Sequence, residues 1–151
     1  MKATSICSFL LISIFAFTSC KKEFPDDPFA STDLSVSDCK TKGDNTKGAD
    51  QEFITIKTID DYYLLLNHFN SVFNCEPGEI TVSVEITSNE ITITEKESSS
   101  LANCVCPYDL EFKIGPLQYG DYHLVFKKAG LIFKEYNLNF KKSTDIQINF
   151  D

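Results

Sequence analysis

The sequence predicts an all-β domain in which about eight short strands form a two-sheet sandwich. Apolar and polar residues alternate along many short segments, as they do in strands that bury one face. Turn residues separate these segments at regular intervals, which is typical of sandwiches rather than of strand–helix–strand units. The clearest example is residues 80–94, where two alternating segments flank a loop at residues 88–90 and predict a hairpin.

The first residues of the chain are typical of a signal peptide, and we expect them to lie outside the fold. Lys2 provides a basic start, and residues 6–17 form an apolar run that is too short to span a bilayer core of about 30 Å. The run ends in small residues that precede Cys20. We therefore predict a signal peptide over residues 1–19.

The residues before Cys20 resemble the lipobox of bacterial lipoproteins, with Phe17 where leucine is usual and two small residues after it. In that family, cleavage of the signal leaves a diacylated and N-acylated cysteine at the new N-terminus. The resemblance implies lipidation of Cys20, and more than one acyl chain gives stable anchoring in a membrane. Lys21 follows, which favours delivery to the outer membrane, and the charged residues 21–27 resemble tags for export to the cell surface.

Residues 20–50 are expected to form the lipidated cysteine and a flexible tether, and residues 51–151 the sandwich domain. The tether carries proline, glycine, hydroxyl and charged residues without sustained periodicity. Such a composition buries too little apolar surface to offset the entropy that ordering would remove. Cys39 is the exception, and we expect it to cross-link the end of the tether to the domain.

Residues 59–74 admit two interpretations. Apolar residues lie at helical spacing, and Thr58 with Asp61 could form a capping box. The alternative is a strand that follows a hairpin turn at Asp60 and Asp61, and asparagines within the segment are unfavourable inside a helix. Residues 52–57 also predict a strand, as does the segment that follows, so we favour the strand.

The second half of the domain repeats the pattern of strand and turn. Residues 110–114 and residues 122–126 alternate and predict two strands with glycine and proline between them. Residues 131–140 predict another strand, with a change of phase near Lys134 that is typical of a bulge. Residues 146–150 alternate again and predict the last strand.

Leu117, Gly120 and Tyr122 form an L-x-x-G-x-Y pattern at the start of a predicted strand. The pattern resembles the tyrosine corner of immunoglobulin-like and fibronectin-type sandwiches. In those domains, a tyrosine that opens a late strand bonds back to the backbone just upstream. The resemblance implies an immunoglobulin-like sandwich in which these three residues have structural roles.

Two further motifs are F-N-C-x-P-G at residues 73–78 and C-x-C-x-Y-D-L at residues 104–110. Together they resemble a group of small bacterial outer-membrane lipoproteins of uncharacterised activity that combine such a turn with such a strand. The resemblance spans roughly residues 60–127. It implies an architecture and supplies no activity and no site residue.

The cysteines predict a cross-linked domain. Cys7 falls in the signal peptide and Cys20 is expected to be acylated, which leaves Cys39, Cys75, Cys104 and Cys106. An oxidising compartment favours structural disulfides among these four. Cys104 and Cys106 stand at i and i+2 and are poorly placed to bridge each other, so each needs one of the other two. The sequence leaves the choice between those two pairings open.

A metal or redox centre is the alternative use of these thiols, and we expect no cofactor. Only His68 and His123 could add imidazole ligands, and neither lies at a recurrent metal spacing. The cysteines also lack the C-x-x-C spacing that is usual for redox sites.

The charge of the chain argues against nucleic acid as a partner. The formal net charge is −8, with 22 acidic and 14 basic residues, whereas phosphate binding needs a basic face. The expected partners are the membrane, through acylated Cys20, and a protein or glycan at the cell surface.

Other side chains offer weak candidates for chemistry. His68 and His123 are expected to have packing or surface roles, and an enzyme would require one of them in a cleft beside a carboxylate. Serines 98–100 lack partners for a nucleophilic triad. The remaining candidates are loop aspartates for calcium and an aromatic residue for a sugar, namely Asp60, Asp61, Asp109, Asp121 and Tyr119.

The sequence thus predicts a non-enzymatic, lipid-anchored β-sandwich of the cell envelope that binds or supports another macromolecule. The alternative is an accessory module that binds glycan or calcium for a surface uptake or adhesion system.

Overall fold

A computed structural model describes residues 33–40 and 51–150, which form nine strands in two sheets and confirm the predicted all-β sandwich. No helix that could span a membrane is found in these two ranges. The predicted signal peptide and Cys20 lie outside them. The strands are β1 (Ser35–Val36), β2 (Phe53–Ile59), β3 (Tyr63–Asn74), β4 (Ile80–Thr87), β5 (Glu90–Glu97), β6 (Val105–Ile114), β7 (Gly120–Lys128), β8 (Leu131–Phe140) and β9 (Asp145–Asn149).

One sheet has five strands in the order β1-β6-β3-β2-β9, and the other has four in the order β4-β5-β7-β8. After β5 the chain crosses to the five-stranded sheet as β6 and then returns as β7. This crossover makes β5 and β7 parallel neighbours, whereas the other pairs between described strands are antiparallel. The parallel pair is a difference from the wholly antiparallel sheets of immunoglobulin domains.

The ambiguous segment 59–74 forms a turn and a strand, as predicted. Asp60 and Asp61 have positive φ angles of 51° and 61°, a conformation that aspartate tolerates better than most residues. The chain then pairs back along β2, with Ile59 opposite Tyr63. Burial on both sheet faces explains the apolar character of β3, because its outward residues are also partly covered.

The core lies between the sheets and is built from the inward phase of each strand. Its largest fully buried side chains are Phe112, Phe126, Phe140, Ile54, Ile56, Leu64, Leu66, Ile91, Ile93, Leu110, Ile114 and Leu124. Each such side chain contributes about 1.5–3 kcal/mol relative to an exposed position. Burial of these side chains is therefore the main source of stability.

Two bulges interrupt this alternation. In β8 the pairing with β7 shifts, and Phe133 is the extra residue that pairs with no residue of β7. It lies next to Lys134, where the sequence predicted a change of phase. In β3 the pairing shifts between His68 and Ser71, and Asn70 adopts a φ of 57°. His68 follows the inward phase of Leu64 and Leu66, and the bulge turns Ser71 toward the interior as well.

The described part of the predicted tether, residues 33–40, is bound to the domain, and we call it the strap. Its strand β1 pairs with β6, and hydrogen bonds continue beyond it from the Ser37 amide to Asp109 and from the Lys40 amide to Pro107. The Lys40 ammonium also contacts the Asp109 carboxylate at 2.5 Å. The strap thus covers part of a sheet edge that would otherwise expose unpaired backbone groups.

Candidate functional site

A cluster of polar side chains lies between the two sheets in an otherwise apolar core. His68 and Ser71 come from β3, Glu95 from β5 and Lys128 from the end of β7, while Glu52 lies just before β2. We call these five residues the His68 cluster. The His68 and Glu95 side chains are 0% and 1% exposed, whereas Lys128 and Glu52 reach the surface at 23% and 30%. Burial makes the partners of each polar atom decisive for stability.

Each nitrogen of His68 faces a carboxylate oxygen. Nδ1 lies 2.6 Å from Oε1 of Glu95 in the opposite sheet, and Nε2 lies 2.9 Å from Oε1 of Glu52. The contact to Glu95 is a hydrogen bond, whereas the contact to Glu52 is not well aligned with the Nε2–H direction and acts as an ion pair. The two contacts bind the imidazole ring from both sides.

Ser71 and Lys128 complete the cluster. The Ser71 hydroxyl donates to Oε2 of Glu95 at 3.0 Å, and the Lys128 ammonium donates to the Ser71 hydroxyl at 2.6 Å. The ammonium also lies 3.5 Å from Glu52 and 3.6 Å from Glu95. With two carboxylates, one imidazolium and one ammonium, the cluster carries no net charge, which limits the penalty for burying it.

The electrostatics of the cluster favour a protonated imidazole. Burial acts to lower the pKa of His68, but its contacts with Glu52 and Glu95 outweigh burial and raise the pKa above its ordinary value. Burial acts to raise the pKa of Glu52, but the contact with His68 and the charge of Lys128 lower it on balance. Both shifts stabilise the charged forms of this pair.

Aromatic rings enclose the charged groups. Phe133 stacks on the His68 ring with centroids 5.8 Å apart, and Phe150 lies 5.6 Å away. The Lys128 ammonium lies over the rings of Phe73 and Phe133, at 4.7 and 5.3 Å from their centroids. The rings exclude water and so strengthen each interaction inside the cluster.

The arrangement does not resemble a nucleophilic triad. Ser71 bonds to Glu95 and to Lys128, and no hydrogen bond joins it to His68 in the described part of the chain. A triad would need the serine hydroxyl on the imidazole. His68 has carboxylates beside it, as an enzyme would require, but it is buried between the sheets rather than placed in a cleft. The geometry therefore favours a structural and electrostatic role.

We did not predict this cluster from the sequence, although one residue of the sequence indicates it. Glu95 continues the inward phase of Ile91 and Ile93, so an acidic residue was due in the core. A buried carboxylate requires a cationic or hydrogen-bonding partner. His68, in the inward phase of Leu66, could have been proposed as that partner.

The four remaining cysteines form two disulfides, Cys39–Cys106 and Cys75–Cys104. The first joins the strap to β6, and the second joins the turn after β3 to the loop before β6. The sequence had left two pairings open, and the structure shows which of them forms. Within residues 33–40 and 51–150, no three histidine, cysteine or acidic side chains are grouped so that they could hold a metal ion.

Asn74 organises the end of the domain that carries the F-N-C-x-P-G motif. Its side-chain oxygen accepts hydrogen bonds from the amides of Glu76 and Ala102, and its side-chain amide donates to the Ala102 carbonyl at 2.6 Å. The Tyr108 hydroxyl of the second motif donates to the Asn74 carbonyl at 3.2 Å. Gly78 supplies a positive φ of 64° for the predicted turn. The two motifs thus meet in space and have a structural explanation.

We expect Asn74→Ala to destabilise the domain by about 1–3 kcal/mol, because it leaves two amides and one carbonyl without their partner. Urea denaturation of the oxidised protein measures this loss. Asn67→Ala in the same strand is the matched control, since the Asn67 side chain has no hydrogen bond among those described and lies on the outer face. Equal midpoints for the two variants would contradict this role for Asn74.

A groove of about 440 Å³ lies between the strap and the turn that leads into β4. Its volume falls in the range of small ligand sites. Asp38 and Glu79 line it with carboxylates that have no ion-pair partner among the described residues. The other lining residues are Val36, Ser37, Cys39, Pro77, Gly78, Ile80 and Tyr108.

The residues of the predicted tyrosine corner lie at the start of β7. The Tyr122 hydroxyl donates to the Gln118 carbonyl at 2.9 Å, a bond to the backbone just upstream. Leu117 is buried, and its amide donates to the Tyr62 carbonyl at 2.8 Å. Gly120 has open space where a side chain would begin, so packing does not require glycine there.

His123 lies on the outer face of the four-stranded sheet. Its ring contacts Asn137 at 3.0 Å and Glu135 at 3.4 Å. The hydrogen bond with Asn137, and also Glu135, raises its pKa above the ordinary value. His123 is therefore a partly exposed surface residue.

The structure disperses the aspartates that were candidates for calcium. Asp60 and Asp61 lie in the turn after β2, where Asp61 contacts Lys142 at 3.4 Å. Asp109 is paired with the strap, and Asp121 accepts a hydrogen bond from Asn139. The four aspartates thus lie in separate places, and the carboxylates of Asp61, Asp109 and Asp121 already have partners.

The remaining candidates are three loop serines and one aromatic residue. Serines 98–100 hydrogen-bond within their own end of the domain, to residues 76, 79 and 97. Tyr119 is 50% exposed and packs edge-on against Phe140 at 5.1 Å.

Comparison of the chain with protein-family models, with curated proteins and with solved structures finds no match.

Proposed function

We propose that this protein is a lipid-anchored β-sandwich of the bacterial cell envelope, held in the outer membrane by acylated Cys20, with a non-catalytic binding or structural role. The observation that carries the proposal is the lipobox-like segment from Phe17 to Cys20 at the end of an apolar run. The run has the length of a signal-peptide core, and the cysteine stands where the lipoprotein family carries its acyl chains.

The disulfides support export from the cytoplasm. Cytosolic reductants keep most thiols reduced, whereas proteins of the envelope retain disulfides. Cys39–Cys106 and Cys75–Cys104 use every cysteine in the described ranges. The upstream backbone bond of Tyr122 also supports the finer proposal of an immunoglobulin-like relative among sandwiches.

The groove beside the strap is the surface that we propose for contact with a partner. Disulfides at Cys39 and Cys75 fix its two sides, so a partner would meet a preorganised surface. The carboxylates of Asp38 and Glu79 favour a partner that presents a cationic side chain.

Metabolic labelling with a palmitate analogue in a Gram-negative host tests the anchor. We expect label on the wild-type chain and on Cys7→Ser, and none on Cys20→Ser, because only Cys20 follows the lipobox-like residues. The Cys20→Ser chain should also leave the membrane fraction. Label that persists in Cys20→Ser, or a wild-type chain without label, would contradict the proposal.

Binding assays on the chain from residue 20, with Cys20→Ser, separate the proposed role from its alternative. Calcium calorimetry should give no signal, since the loop aspartates are dispersed. Glycan arrays should also give none, since the Tyr119 ring packs edge-on against Phe140. Specific binding of a sugar or of calcium would instead support the accessory ligand-binding module. A photo-cross-linking residue at position 79 should capture a partner on intact cells, and the same residue at exposed position 85 should not.

A further inference from the structure

The His68 cluster requires one more proton than neutral histidine and two carboxylates would carry. A neutral imidazole has one N–H, so one nitrogen presents a lone pair. Both nitrogens face carboxylate oxygens, at 2.6 and 2.9 Å. Either neutral tautomer would therefore place a lone pair against a carboxylate, whereas the imidazolium donates a hydrogen bond to Glu95 and forms an ion pair with Glu52.

The cluster also joins the two sheets. His68, Ser71 and Glu52 belong to the five-stranded side, and Glu95 and Lys128 belong to the four-stranded side. Among the described residues, the charged groups that face His68 are Glu52, Glu95 and Lys128. The other elements packed against its ring, β8 and the residue after β9, contribute uncharged rings.

We propose that the His68 cluster is a proton-operated clamp between the two sheets. With the proton in place, the imidazolium binds Glu95 across the interface and Glu52 beside it. When the imidazolium releases that proton to solvent near the partly exposed Glu52, the buried group is left with a net charge of −1 and a lone pair opposed to a carboxylate. The contact between β3 and β5 then loosens, and water reaches the enclosing rings.

The direction of the pH effect follows from the charges. The pKa of His68 is raised in the folded protein, so its stabilising effect is fully present below about pH 6.5 and is lost as pH rises through the folded pKa. The pKa of Glu52 is lowered, so its effect is present above its ordinary value of about 4.5 and is lost as pH falls through the folded pKa. The clamp is therefore closed most firmly between these two ordinary values.

Nitrogen NMR of the His68 ring tests the clamp directly on the oxidised chain from residue 20 with Cys20→Ser. Both ring nitrogens should be protonated at about pH 6, and the proton should leave at a pH above the ordinary histidine pKa of about 6.5. The nuclear Overhauser contact between the His68 and Phe133 rings should fade over the same pH range. A neutral ring at about pH 6, or a ring contact that is indifferent to titration, would overturn the proposal.

Urea unfolding over a pH series gives the thermodynamic counterpart. The unfolding constant should rise by up to tenfold per pH unit between about pH 6.5 and the folded pKa, since the folded state holds one more proton there. His68→Gln should lose most of this slope. His123→Gln should keep most of it, because the interactions that raise the pKa of the exposed His123 are screened by solvent. If His68→Gln does not fold, the wild-type NMR titration still decides. A slope that follows His123 instead would overturn the assignment.

Discussion

Replacing Glu95 by alanine is expected to destabilise the domain by about 3–5 kcal/mol, the usual effect of removing one partner from a buried ion pair. Glu95 is 1% exposed and bonds to both His68 and Ser71, with the Lys128 ammonium nearby. The variant leaves the buried imidazolium beside the partly exposed Lys128 ammonium, with only Glu52 to balance the two charges. Such a loss is a large part of the roughly 5–15 kcal/mol that stabilises an ordinary domain.

Urea denaturation at about pH 6, where His68 is charged, measures this effect. Glu85→Ala is the matched control, because Glu85 lies exposed in the neighbouring strand β4 and should change stability by less than about 0.5 kcal/mol. If the two variants unfolded at the same urea concentration, Glu95 would contribute nothing to stability through the cluster.

Removing the disulfide between the strap and the domain is expected to destabilise the protein by about 4 kcal/mol in the chain-entropy model. Cys39 and Cys106 are separated by 67 residues, so their bond closes a long loop of the unfolded chain. In the Cys39→Ala/Cys106→Ala variant, the strap would keep its hydrogen bonds, the packing of Leu34 on the core and two ion pairs, Lys40–Asp109 and Asp33–Lys113. We expect the strap to detach at least transiently.

Hydrogen exchange at the amides of Ser37 and Lys40 reports on the strap, and urea denaturation reports on the whole domain. Both amides should lose protection in the double variant. Reductant should then lower its stability further, since Cys75–Cys104 is still intact there. A stability loss below about 1 kcal/mol with protection retained would contradict the role of this disulfide.

Local pattern was enough to predict the strands of the domain, but not β1, which lies in the segment predicted to be a tether. Residues 80–94 bury one face and expose the other, so alternation alone identifies β4 and β5. Residues 63–74 were harder, because both faces of β3 are covered and the alternation that marks a strand is obscured. The strand was favoured because asparagines are unfavourable inside a helix and the neighbouring segments predict strands, and the structure shows the turn at Asp60 and Asp61 that this alternative required.

Features that depend on contacts across the sandwich could not be predicted. The pairing of Cys39 with Cys106 depends on where the strap meets β6, which no spacing in the sequence reveals. The approach of His68 to Glu95 requires a fixed alignment of the two sheets, and the approach of Ser71 to Glu95 also requires the bulge in β3. The parallel neighbours β5 and β7 likewise follow from a crossover rather than from any local signal.

The central claim is that a disulfide-linked two-sheet sandwich follows the lipid anchor in an exported protein. Disulfide mapping of the protein exported to the envelope tests this claim most directly. Stepwise partial reduction with alkylation separates Cys104 from Cys106 although only Val105 lies between them. The structure predicts bonds Cys39–Cys106 and Cys75–Cys104 with no free thiol among the four. A bond between Cys39 and Cys75, or four reduced thiols in the exported protein, would contradict both the fold and the proposed compartment.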